Sequence, residues 1–142
     1  MIIVSACLAW INCRYDWNSR SIQKIIDLVK NWEAVPVCPE LLWWLATPRP
    51  KSEIRWDKVV TENWDDVTEQ FVYWATEWLK IAKEKFCRLA ILKSKSPSCW
   101  CWLIYDGNFL WRLKKWDWIY TKLLKESWIE VRTENNLPEN LL

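Results

Sequence analysis

Leu89-Ala90-Ile91-Leu92-Lys93-Ser94-Lys95-Ser96-Pro97-Ser98-Cys99-Trp100-Cys101-Trp102 is the stretch that decides the fold. Its first four residues are apolar. A run that short, closed by polar residues and proline, reads as a buried strand. The strand spills directly into hydroxyls and a thiol. Two other apolar runs end in the same way. Ile2-Ile3-Val4-Ser5-Ala6 closes on Cys7, and Ala34-Val35-Pro36-Val37 closes on Cys38. Sites in open α/β sheets are built at the carboxyl ends of strands. If these three strands are neighbours, their cysteines converge on one point.

Helical periods fill the space between them. Ile22, Ile25, Ile26 and Val29 recur at helix spacing and predict a helix over residues 19–30, capped by Asn18 or Ser19. Val67, Phe71, Ala75, Leu79 and Ala82 predict a long helix over 65–85. Ile119, Leu123 and Leu124 predict a last one over 117–127. Val59-Val60-Thr61 reads as a short strand or hairpin arm, and 103–109 as a turn with short extended arms. Thr47-Pro48-Arg49-Pro50 is a rigid loop, 129–132 a final strand, and 135–142 a frayed tail. Strands alternating with helices, where the strands are apolar throughout, mean an α/β fold with a mainly parallel sheet. The length suits one domain over 1–134 followed by the tail.

Composition narrows the chemistry. Net charge is +2 with a pI near 8.2, so no strong field draws the chain to nucleic acid. No apolar run approaches the ~20 residues of a membrane span. No Lys or Arg precedes the apolar start, which is unlike a signal peptide, and the expected compartment is the cytoplasm. Disulfides are rare there, so six cysteines lean towards metal or thiol chemistry. The chain has no histidine, which removes Ser-His-Asp and Cys-His catalysis and His-ligated zinc.

The chain also holds 15 Trp and one Gly. Trp17, Trp32, Trp64, Trp116, Trp118 and Trp128 all fall at turns or just past helical periods. Those places call for positive φ, where glycine is the default and a bulky side chain is strained. The expectation is that most or all tryptophans stand for glycine. A gene whose UGA codons mean glycine, translated with a table that reads them as tryptophan, gives this pattern. The competing reading is a Trp-rich protein that stacks on bases, but stacking residues would not concentrate in turns.

Three thiolates at separate strand ends suit a soft metal or an iron–sulfur cluster. The bland reading is that they are ordinary buried cysteines, a common fate for free Cys. Cys13 and Cys101 are further candidate ligands, while Cys87, at a helix end, reads as packing. Glu40, two residues past Cys38, is either a general base for water or a solvated loop carboxylate. Ser96 and Ser98 either donate hydrogen bonds to a substrate or cap a turn. Arg49 either binds an anion or pairs with a carboxylate.

Several segments together resemble one family. They are Val4-Ser5-Ala6-Cys7-Leu8, Cys13-Arg14-Tyr15-Asp16-Trp17, Val37-Cys38-Pro39-Glu40, Pro48-Arg49-Pro50 with Glu53-Ile54, Leu92-Lys93-Ser94, Ser96-Pro97-Ser98-Cys99-Trp100 and Ile104-Tyr105-Asp106-Gly107 with Phe109. In this order they resemble the small bacterial family of thiouracil desulfidases, from Ile2 to about Glu134. That family has glycine where this chain has Trp10, Trp17, Trp43, Trp44, Trp100 and Trp128. The resemblance implies a Rossmann-like three-layer sandwich carrying a [4Fe-4S] cluster on Cys7, Cys38 and Cys99. Cys13 lies where many relatives carry valine and is not counted as a ligand. The implied reaction removes sulfur from a thiolated pyrimidine, a small-molecule thionucleobase, to give uracil and sulfide. Glu40 would activate water or relay protons, Ser96 would position the base or assist proton transfer, and Ser98 and Arg49 would bind substrate. A monomer or weak homodimer that uses neither nucleic acid nor membrane is expected. The alternatives are a non-catalytic iron–sulfur or sulfur-carrier protein and a zinc-binding module.

Overall fold

The computed structural model describes residues 1–11, 21–38, 50–96, 103–105, 107, 113–115 and 119–141. Four short strands form one parallel sheet: β1 (Ile2–Ser5), β2 (Ala34–Val37), β5 (Leu89–Leu92) and β8 (Glu130–Thr133). Their order is β2-β1-β5-β8. The three strands that lead to cysteines are therefore neighbours, with β1 in the middle. Two antiparallel hairpins stand apart from this sheet: β3 (Ser52–Arg55) with β4 (Lys58–Thr61), and β6 (Leu103–Tyr105) with β7 (Leu113–Lys115). The helices are α1 (Gln23–Lys30), α2 (Thr68–Glu84) and α3 (Ile119–Glu126).

Alternation along the strands builds the layers. Ile3, Val37, Ala90 and Leu92 face one way, into a cluster with Ala75 and Ala82 of α2 and Tyr120 and Leu124 of α3. Val4, Ala34 and Ile91 face the other way, against Ile25 and Leu28 of α1. This is a three-layer α/β sandwich. Pro36 is tolerated in β2 because β2 lies at the sheet edge, pairing only with β1 among the described strands.

Several boundaries differ from the sequence expectation. α1 starts at Gln23, not at 19. Ile22 is extended (φ −120°, ψ 118°), and its N–H donates to Leu8 O at 2.9 Å, which ties it outside the helix. The expected caps, Asn18 and Ser19, lie outside the described residues. α2 starts three residues later than expected. Val67 N–H donates to Val59 O, and Asp66 bridges Val60, so this segment continues the β3–β4 hairpin. Asp66 then accepts bonds from both the N–H and the hydroxyl of Thr68 and opens the helix. Of the segment 103–109, Leu103–Tyr105 is one arm of a longer hairpin, paired with Leu113–Lys115. The tail is not frayed over its described part: Leu137 and Leu141 pack against the α1 layer.

Gly107, the sole glycine, has φ +90°. A Cβ there would meet Ile54 O at 2.5 Å and Arg55 Cα at 2.7 Å. Both are backbone atoms of β3, so neither can move alone. Gly107→Ala is expected to cost about 2–3 kcal/mol by urea denaturation. A loss below about 0.5 kcal/mol would mean that β3 and the Gly107 segment separate freely.

Candidate functional site at the strand carboxyl ends

The chain leaves β1 through α1 to reach β2 on one side. It then crosses, by way of the β3–β4 hairpin and α2, to β5 on the other side of β1. The carboxyl ends of β1 and β5 therefore flank a topological switch point, the usual place for a site in an open α/β sheet.

Cys7 does not end its strand as the sequence suggests. β1 stops at Ser5, and Cys7 lies in a buried 3-10 turn, Ala6–Ala9. Trp10 ends that turn at φ 75°, with its N–H on Ala6 O. Cys38 directly follows β2 and is half-buried. Val37 is in register with Ser5, so the two thiols leave adjacent strands at nearly the same level. Both belong to one apolar cluster, with Leu8, Ala9 and Ile25. Cys87 is elsewhere, in the opposite layer, where burial pushes its thiol pKa up. It is packing, as the sequence indicates.

Ser96 is half-buried, four residues past the end of β5. Glu40, Arg49, Ser98 and Cys99 lie outside the described residues, as do Cys13 and Cys101. Among the described residues, no three Cys, Asp or Glu side chains gather as a metal site. Cys7 and Cys38 thus share one apolar cluster behind neighbouring strands.

A polar cluster that the sequence did not reveal lies beside them. Glu134 follows β8, level with Lys93. Its Oε1 accepts from Lys93 Nζ at 2.9 Å and from Ser94 Oγ at 2.6 Å. Its Oε2 accepts from the Ser94 N–H at 2.7 Å. Lys93 N–H donates to Ser5 Oγ at 2.9 Å, inside the sheet. Burial, the strongest influence on Glu134, raises its pKa. The bonds from Ser94 and Lys93 outweigh it and hold the carboxyl below the usual carboxylate range. No local pattern announces this cluster, because Glu134 is 40 residues from Ser94.

Residues 2–136 match the family described as 2-thiouracil desulfurase. The chain is 38% identical to the uncharacterized protein YbbK of Bacillus subtilis (strain 168), over 99% of this chain and all of that protein. It is also similar to the solved structure of a [4Fe-4S]-dependent thiouracil desulfidase, TudS. The TM-score there is 0.91 at 38% identity, covering 97% of this chain and 93% of the other.

Proposed function

The chain belongs to the 2-thiouracil desulfurase family, and from that premise we propose that it is a cytoplasmic desulfidase acting on thiouracil or a related free thiolated base. The observation that supports this is that Cys7, in the turn after β1, and Cys38, directly after the neighbouring β2, pack into one apolar cluster. The donor set fits a [4Fe-4S] cluster. The thiols are soft, histidine is absent from the chain, and the Cys7 turn is dry. Three protein ligands would leave one iron open, and that iron would supply a Lewis acid for the thiocarbonyl sulfur.

The remaining work belongs to the chain. Water attacks the carbon that bears sulfur; a C–O bond forms and the C–S bond breaks. The products are uracil and hydrogen sulfide, with no net oxidation. Glu40 takes one proton from water as its oxygen attacks and returns it to the leaving sulfur; the second leaves the new hydroxyl as the carbonyl forms and completes the hydrogen sulfide. Ser96, carried by the turn after β5, donates a hydrogen bond to the base. Ser98 and Arg49 complete its binding.

The tryptophans support a second part of this reading, that most or all of them stand for glycine. Seven lie among the described residues, and five of those have positive φ: Trp10, Trp32, Trp56, Trp64 and Trp128. The other two, Trp74 and Trp78, lie in α2 and bury indole N–H groups with no partner among the described residues. A buried indole N–H ordinarily finds one. An intact mass well below 17.3 kDa for protein made in its own host is expected; a match to 17.3 kDa would end that part.

The test of the activity is anaerobic purification with iron, sulfide and turnover measured on one sample. Glu40→Ala is expected to keep its iron and to lose sulfide release from 2-thiouracil by about 10²–10⁴-fold. Unchanged release would remove Glu40 from the mechanism, and no release from wild type that holds its cluster would make the chain a carrier of sulfur rather than a desulfidase.

A further inference from the structure

We propose that Glu134 is a positioning residue, whose carboxylate clamps the turn after β5 in the conformation that holds Ser96 at the carboxyl edge of the sheet. The proposal rests on the desulfidase reading above for what the turn delivers. The clamp itself stands on geometry.

The turn begins as β5 ends. Lys93 has its N–H fixed to Ser5 Oγ, a hydroxyl of a residue 2% exposed and two positions before Cys7. Ser94 gives both its N–H and its hydroxyl to Glu134. The Lys93 ammonium closes the ring, donating to Glu134 at 2.9 Å and to Ser94 O at 2.7 Å. Both charged side chains are largely withdrawn from water, 13% exposed for Lys93 and 8% for Glu134. Such a pair holds its geometry more firmly than a surface ion pair.

The clamp is followed at once by a strained residue. Lys95 sits at φ 63°, a region lysine does not favour. Backbone strain of that kind persists where the surroundings over-determine it. The strained residue lies directly between the clamped pair and Ser96. One network thus runs from Glu134, after β8, through the turn to Ser5 of β1, two residues before Cys7. Removing the carboxylate leaves the Ser94 N–H and the Lys93 ammonium without this acceptor, and lets Lys95 relax.

The full chain, loaded with iron and sulfide without oxygen, is compared as wild type, Glu134→Gln, Ser94→Ala and Leu124→Ala. Leu124 is buried in the α2–α3 layer, so its variant reports a general loss of stability. Amide exchange at Ser94–Ser96, iron loss to a chelator, kcat and KM are measured. Glu134→Gln is expected to speed exchange and iron loss by about tenfold or more. It should lower kcat per bound cluster by about 10–100-fold while KM stays within about threefold. Ser94→Ala should show the same changes to a smaller degree, and it remains informative if Glu134→Gln does not fold. Leu124→Ala should leave all four values near wild type. Wild-type values in Glu134→Gln, or changes no larger than those in Leu124→Ala, would overturn the proposal. If wild type itself takes up no iron, the desulfidase reading fails, and the clamp is judged on the apo chain. Faster exchange and about tenfold faster alkylation of Cys99 in Glu134→Gln would then support the clamp; unchanged rates would overturn it.

Discussion

Cys7→Ser is expected to yield a folded chain with no stable iron–sulfur cluster and only background release of sulfide from 2-thiouracil. A serine hydroxyl is not ionised near neutral pH, so it cannot replace a thiolate as a soft ligand. Cys87 provides the control. The two are equally withdrawn from water, 7% exposed for Cys7 and 6% for Cys87. Burial does not separate the proposed ligand from the packing residue; place in the fold does. Cys87→Ser puts a hydroxyl in the opposite layer and is expected to cost about 1–3 kcal/mol of stability while iron content is unchanged. Cys38→Ser and Cys99→Ser should behave like Cys7→Ser. Iron retained in Cys7→Ser at the wild-type level would remove Cys7 from the ligand set. Iron lost equally in Cys87→Ser would mean that the assay reports folding, not ligation.

Glycine in place of Trp10, Trp32, Trp56, Trp64 and Trp128 is expected to stabilise the chain by about 5 kcal/mol, at roughly 1 kcal/mol for each left-handed position. Each place has a structural cause. Trp32 ends α1: its N–H donates to Val29 O, and Glu33 N–H donates to Leu28 O. Trp128 ends α3 in the same way, through Lys125 O, with Ile129 N–H on Leu124 O. That pair of bonds places a left-handed residue, usually glycine, just past the helix. Trp56 opens the two-residue turn between β3 and β4, where glycine is favoured first. Exposure argues the same way, since Trp32 is 85% and Trp128 94% exposed, so neither indole recovers its strain by burial. Phe86 holds the equivalent place after α2, at φ 51°, so an aromatic is tolerated there at a cost. Two synthetic genes, one encoding Trp and one Gly at the five positions, would be compared by urea denaturation. Against a typical total of about 5–15 kcal/mol, the expected gain is large. A glycine chain of equal or lower stability would show that the tryptophans belong to the protein.

The sequence by itself determined the layers and the parallel sheet. Short apolar runs such as Leu89-Ala90-Ile91-Leu92 can satisfy their backbone only in a buried sheet. The helical periods of α2 and α3 then fix which faces cover it. It also marked where the backbone turns left-handed. Trp32, Trp64 and Trp128 were legible as left-handed positions from their neighbours, because that demand is local. Strand adjacency was not local. That β1 lies between β2 and β5, and so gathers Cys7 and Cys38 into one apolar cluster, emerged only from the assembled sheet. The 3-10 turn at Cys7 was hidden for the same reason: it is shaped by packing against α1 rather than by its own residues. Glu134 was the least legible. Its meaning depends on β8 pairing with β5, which sets a carboxylate beside Ser94 from 40 residues away. Local chemistry is written in neighbouring residues. A contact between distant strand ends exists only once the chain has closed on itself.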